Sequence, residues 1–298
     1  MVKLINKTVF FVLLVCIISI VFGDSFDPTL KHKINEGKKY ALLIGGGVTD
    51  LDTYDSFYKN IEYVANTLLK LGYCEADIKI LFYGGKKPER SIVDRNATKK
   101  ILLDELSYLE NTINSNDSLL IFRSGHGIID LVFKNYESLS NIKNVSVSDK
   151  LEIFGITAVM IFPDGGLTCH EFQERLAKIR AKQIVVILNQ CFSGPFTDMA
   201  LKLNNAVVIS QTDFAMHQTR KTLRWKHDEW PFVKCFFDGF LHKGKEEKKQ
   251  SVYNAFQYML NCNPNIEGIP LKADRPLLKE SPQIKYGMGL KIGAVYIE

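Results

Sequence analysis

A histidine and a cysteine, each closing an apolar run and each followed by glycine, are the residues best able to do chemistry in this 298-residue chain. The first stands in "SLLIFRSGHG", where His126 ends the run from Ser118 and is flanked by Gly125 and Gly127. The second stands in "IVVILNQCFSG", where Cys191 precedes Ser193, Gly194 and Pro195. Alone, a strand cysteine is ordinarily a core thiol and a lone histidine is ordinarily structural. Together, at the carboxyl ends of two strands of a parallel sheet, they lie where ligands collect, because loops converge there and helix N-termini point their N–H groups at the rim. A thiolate is the nucleophile. A nearby imidazole can take the thiol's proton or stabilise the anion, drawing a thiol pKa of about 8.5 into the working range. The glycines beside His126 let a substrate approach the main chain, the N–H of Gly127 can face a developing oxyanion, and the N–H of Cys191 is the natural second donor. These residue types point to acyl transfer.

Such a pair needs elements that bring two strand ends side by side. Apolar, β-branched runs at 40–46, 78–85, 118–125, 184–191 and 206–212 read as strands, nearly unbroken rather than alternating, as strands buried on both faces must be. Amphipathic stretches separate them. Residues 56–71 set Tyr58, Ile61, Val64, Ala65, Leu68 and Leu69 at helical spacing before Gly72, and residues 98–111 repeat the pattern. At 168–180, Thr168 and Glu171 have capping-box spacing, and "ITAVMIFPDGGLT" ahead of them reads as a hairpin turning at the Pro-Asp-Gly-Gly. The polar stretch 128–156 breaks the rhythm and reads as an insertion; 230–241 and 251–261 are apolar helices, and the tail is a final extended segment. The expected fold is α/β, a three-layer αβα sandwich with a mostly parallel central sheet, forming a single domain over 24–298.

The N-terminus addresses the compartment. Lys3 and Lys7 precede an apolar stretch from Val9 to Phe22, and Val21 and Gly23 are the small residues of a cut before Asp24, so residues 1–23 read as a secretory signal peptide, with an uncleaved anchor as the competing reading. Its removal lowers the net charge from +5 to +3, a mild excess that gives no argument for a nucleic-acid partner, and no membrane span remains. Sequons at Asn96, Asn116 and Asn144 suit an exported glycoprotein. Five cysteines remain after the cut: Cys74, Cys169, Cys191, Cys235 and Cys262. If Cys191 keeps its thiol, the other four allow three pairings. No CxxC or His/Cys cluster has metal spacing, and "LLIGGGVTD" is neither a GxGxxG nor a P-loop, so neither metal nor cofactor is expected. His170 reads as a surface residue, as do His217 and His227.

"SGHG" closing one strand and "NQCFSG" closing the next long one resemble the caspase-like cysteine peptidases, the group of caspases, metacaspases, gingipain-type enzymes and legumains. The stretch "FPDGGLTCHEFQERLAKIRAKQIVVILNQCFSG" is most similar to the legumain (asparaginyl endopeptidase, or hemoglobinase) and glycosylphosphatidylinositol transamidase branch, and the likeness spans roughly residues 38–242. The resemblance implies the caspase-hemoglobinase fold, a catalytic dyad of His126 and Cys191, an oxyanion hole of Gly127 and Cys191, and hydrolysis of peptide or protein substrates through a thioester without a metal. It also implies that Asn189, two before the cysteine, lines the specificity pocket where the family usually carries an acid. Glu229, and after it Asp228, are the further pocket candidates, just before Trp230. An acid in a partly desolvated pocket favours Lys, Arg or an amide nitrogen. The same dyad would serve a transamidase or peptide ligase, and a caspase-like binding module without turnover is the alternative from another class. The signal implies secretion or an endomembrane, lysosome-like compartment.

Overall fold

Strands that are apolar on both sides must be covered on both faces, and the chain does this with helices from each side of one sheet. The computed structural model describes residues 37–51, 53, 55–84, 92–131, 156–213, 230–242, 250–264, 266 and 281–297. Residues 1–23, read above as a signal peptide, Asp228, Glu229, His217, His227, Asn144 and all but the two ends of the 128–156 stretch lie outside them. Lys38–Glu298 forms one compact unit. In chain order its elements are β1 (Lys39–Gly46), α1 (Asp55–Lys70), a 3-10 turn (Glu75–Asp77), β2 (Ile78–Tyr83), α2 (Lys99–Thr112), β3 (Ser118–Gly125), β4 (Gly127–Leu131), β5 (Ile156–Phe162) and β6 (Gly165–Thr168). There follow α3 (Cys169–Leu176), β7 (Gln183–Asn189), a 3-10 turn (Gly194–Asp198), α4 (Met199–Lys202), β8 (Ala206–Ser210), α5 (Pro231–Leu241), α6 (Val252–Cys262) and β9 (Gln283–Tyr286).

The main sheet runs β2-β1-β3-β7-β8-β9, parallel except for β9, which pairs antiparallel to β8. This mixed, mostly parallel sheet flanked by helices makes three layers. Alternate residues of each strand enter opposite cores. Leu43, Phe122, Ile187 and Ile209 pack with α1, α5 and α6, whereas Leu42, Ile121, Leu188 and Val208 pack with α2, α3 and α4. The chain leaves β1 in one direction to β2 and in the other to β3, so the order reverses between β1 and β3, the place where open α/β sheets form a crevice at their carboxyl ends.

Local chemistry sets the helix starts. Thr168 Oγ1 accepts the Glu171 N–H at 3.1 Å, as the capping spacing predicts, and Thr98 Oγ1 does the same for Ile101. Asp164 in the β5–β6 turn reaches across to α2 and accepts the N–H groups of Lys99 and Lys100 at 2.6 and 3.0 Å. Burial acts to raise its carboxyl pKa, but those two bonds and the Lys99 charge outweigh it, and the net direction is down. Between α5 and α6, Cys235 and Cys262 form a disulfide with Cα atoms 5.8 Å apart, whereas Cys74 and Cys169 keep their thiols, so the expectation that all four would pair is not met.

Two expectations need correction. The two ends of the 128–156 stretch are regular strand: Gly127–Leu131 is β4, which pairs antiparallel with β5 from Gly127–Met160 to Leu131–Ile156, and β5 pairs with β6 in a second, three-stranded sheet. The break in the apolar pattern misleads because β4's partner lies some thirty residues downstream, so only tertiary pairing defines it. The run 184–191 also ends as a strand at Asn189, leaving Gln190 and Cys191 in the turn that follows.

Candidate active site

Parallel pairing fixes where the two reactive residues fall. Strands β3 and β7 are neighbours, and their last register pair is Ser124 with Asn189. His126 and Cys191 each follow that pair by two residues, His126 just past the end of β3 and Cys191 in the turn after β7, so both stand at the carboxyl ends of neighbouring parallel strands. The main chains meet: a Cβ built on Gly127 would stand 2.3 Å from the Cys191 carbonyl oxygen, a gap that only glycine leaves open. The first sequence expectation, that the fold gathers His126, Gly127 and Cys191 on one rim, therefore matches their placement.

The histidine is oriented by its surroundings. Its ring meets the edge of Phe57 at 5.2 Å between centroids, and Phe57 packs in turn against Trp230 at 5.5 Å. Its carbonyl accepts from Ile161 N at 3.2 Å and from the Arg123 guanidinium at 2.9 Å. Cys191 is half-buried and keeps its thiol, as do Cys74 and Cys169. The turn that carries it is tight: Phe192 has φ of 53°, the left-handed region that a bulky side chain seldom adopts, and among the described non-glycine residues no other has positive φ. Thr212 braces the same turn, donating to the Gln190 carbonyl at 3.3 Å, while Ser193 N donates to Thr212 Oγ1 at 3.1 Å and Thr212 N to Ser193 Oγ at 3.3 Å.

Beneath the pair, on the same face of the sheet, sits a polar network. Ser124 Oγ accepts from Asn189 Nδ2 and from Asn60 Nδ2, each at 3.0 Å, and Asn60 Oδ1 accepts from Trp230 N at 2.9 Å. Ser124, Asn60 and Asn189 have no exposed surface. Asn189, expected in a specificity pocket, is thus placed as a wholly buried group that ties β7 to β3 and α1. The pocket candidates Asp228 and Glu229 lie outside the described residues.

Sequence reasoning missed the group on the opposite face. Arg123, 1 % exposed, lies inside β3 and donates Nε–H to Gln190 Oε1 at 2.6 Å and a terminal N–H to Ile161 O at 2.8 Å, besides its bond to His126 O. Its guanidinium lies 4.3 Å from the Phe162 ring centroid. Burial alone pushes its pKa down to about 9, so at neutral pH it still carries its proton. The available signal was one charged residue inside an otherwise apolar strand, since arginine is almost never fully buried without a specific partner.

Other candidates fall away. The glycines of "LLIGGG" answer packing: a Cβ on Gly46, whose φ is +116°, would stand 2.2 Å from the Tyr83 carbonyl. His170 is exposed and pairs with Glu174 at 3.2 Å, as a surface residue does. Among the described residues no three His, Cys, Asp or Glu side chains gather as a metal site would need, and no helix is long and apolar enough to cross a membrane.

No family model matches the sequence. No curated protein matches it either. Among solved structures, the chain is similar to protein GSU0716 from Geobacter sulfurreducens, at 14% identity and a TM-score of 0.52, over 88% of this chain and 100% of that one. A likeness at that identity speaks to the fold alone: an α/β sheet with helices on both faces.

Proposed function

We propose that this chain is an exported cysteine endopeptidase of the caspase-like, legumain-type group, with the caspase-hemoglobinase arrangement of its sheet and with peptides or proteins as substrates. The observation that carries the reading is the packing of Gly127 against the Cys191 main chain, at the carboxyl ends of the neighbouring strands β3 and β7 that lead to His126 and Cys191. The site's position next to the sheet's reversal point supports it further. So does the disulfide Cys235–Cys262, a bond at home in an oxidising compartment and in keeping with the signal sequence.

In this reading, the His126 imidazole takes the proton of the Cys191 thiol, and the thiolate attacks the carbonyl carbon of the scissile bond. Charge moves onto the carbonyl oxygen, where the N–H groups of Gly127 and Cys191 receive it. The imidazolium then gives its proton to the departing amine as the C–N bond breaks, leaving a thioester on Cys191. Water, deprotonated by His126, attacks that thioester, releasing the carboxylic acid and restoring the thiol. His126 thus alternates between proton acceptor and proton donor while the two main-chain N–H groups serve the oxyanion, and no metal enters.

The test is covalent capture. A peptide acyloxymethyl ketone should add to Cys191 in the wild-type chain, read as a mass increase on the peptide that contains it, and His126→Ala should slow the addition about 100-fold or more. Labelling spread evenly over Cys74, Cys169 and Cys191, or indifferent to His126, would defeat the proposal.

A further inference from the structure

The residues that line the two strand ends from behind do not enter the chemistry above, yet one of them reaches both. Arg123 and Gln190 lie on the α2–α3 face of the sheet, opposite the face on which the His126 ring meets Phe57 of α1. Three oxygens and an aromatic ring meet the Arg123 charge, and among the described residues these partners include no carboxylate. A buried charge met in this way is costly, and a leucine or methionine would fill the same space as its apolar neighbours Ile121 and Leu188 do. What an aliphatic side chain cannot do is span the two segments. One end of the planar fork holds the carbonyl of His126, and the other holds the side chain of Gln190, the residue immediately before Cys191. Because Oε1 of Gln190 is committed to Arg123, its amide nitrogen is turned toward the corner where Gly127 meets Cys191: Nε2 lies 2.9 Å from the place of a Gly127 Cβ and has no other partner among the described residues. The third bond, to Ile161 O, anchors the fork to the second sheet.

We infer that Arg123 is a positioning residue of the His126–Cys191 pair, fixing the spacing of the two strand ends from the side away from substrate; the inference rests on the peptidase reading. It does not touch the reacting atoms. Its role is to hold the imidazole-bearing main chain and the cysteine-bearing turn in one geometry, against which proton transfer between them is set.

Peptide-resolved mass spectrometry of the full-length chain, alkylated with iodoacetamide from pH 5 to 9, tests this with Cys74 and Cys169 as internal references. In the wild type, Cys191 should react readily at pH 6, and His126→Ala should abolish that acid-side reactivity. Arg123→Met should lower the pH 6 rate about tenfold, the effect of a one-unit change in the coupling, while leaving the rate at pH 9 within about twofold. Arg123→Lys, which keeps the charge but replaces the fork with a point donor, should fall between them. An unchanged Arg123→Met profile in folded protein overturns the inference, and so does an equal drop at pH 6 and pH 9, which marks general loosening. Where Arg123→Met does not fold, Gln190→Ala decides: it leaves the guanidinium its two carbonyls and cuts the link to the cysteine segment, and an unchanged profile there overturns the inference as well. A wild type without any His126-dependent acid limb is a different result, and it refutes the dyad itself.

Discussion

Replacing Gly127 with alanine tests the geometry of the site through a single methyl group. That methyl would stand 2.3 Å from the Cys191 carbonyl oxygen and 2.9 Å from Gln190 Nε2, where ordinary contact begins at 3.4 Å. The amide can swing aside, but the carbonyl is main chain and is held in the turn braced by Thr212. Relief therefore requires the two strand ends to part by about 1 Å. Overpacking of this kind costs about 1–3 kcal/mol. In a domain of this size that is a fall in Tm of roughly 3–10 °C. The effect on turnover should be larger, because displacement of reacting groups by about 1 Å can cost on the order of 100-fold. Thermal unfolding followed by circular dichroism and kcat/KM on a peptide substrate give both numbers. Gly127→Ala with Tm within about 1 °C of wild type and activity within twofold would mean that the main chains of Gly127 and Cys191 are not packed as described. A fall in Tm with full activity would separate the packing from the chemistry and refute the link between them.

Other perturbations reach the elements behind the site. Ser124→Ala removes the acceptor of two buried amide N–H groups and should cost roughly 2–4 kcal/mol, read as a loss in chemical-denaturation midpoint at unchanged m. A double-mutant cycle with Asn60→Leu should recover at least 1 kcal/mol of that as coupling, and additivity would break the network into unrelated contacts. Cys235→Ser, which opens a disulfide spanning 27 residues, should lower stability by about 3–4 kcal/mol, and dithiothreitol should reproduce the shift in the wild type and not in the variant. Asp164→Ala should cost about 1 kcal/mol by uncapping α2. Because the folded-state pKa of Asp164 is depressed, its contribution is complete above the unfolded value and is lost as pH falls through the folded one, so the gap between wild type and Asp164→Asn should begin to narrow below about pH 4 and shrink further as the pH falls. A gap that persists undiminished at pH 2 would locate the effect elsewhere.

The parts of the fold that the sequence made legible are those in which one segment carries the whole signal. Apolar runs buried on both faces identify β1, β3, β7 and β8 because their patterning needs no knowledge of the neighbour, and Thr168 announces α3 by a bond made within one turn. What stayed hidden depends on partners distant in the chain. Strand β4 is five residues long and defined by β5 across the 132–155 interval, and β7 stops at Asn189 because the chain enters the Phe192 turn and Gln190 turns its side chain to Arg123. His126, Gly127 and Cys191 could be chosen from residue type and strand position, whereas Arg123, Ser124 and Asn60 act only through side chains contributed by other elements. Asn189, which the family resemblance places in a pocket, is wholly buried and donates to Ser124 in the framework under the rim, a placement that depends on side chains from other elements.

The central claim is that Cys191 and His126 together cleave peptide bonds. It is tested most directly by a fluorogenic peptide library varied at the residue before the scissile bond and scanned from pH 4 to 8, on the wild-type chain beside Cys191→Ala and His126→Ala. The account predicts cleavage that is selective at that residue, lost in Cys191→Ala and reduced at least 100-fold in His126→Ala while both variants keep the wild-type Tm. Cleavage that survives in Cys191→Ala, or none from folded wild-type protein at any pH in the range, would contradict it.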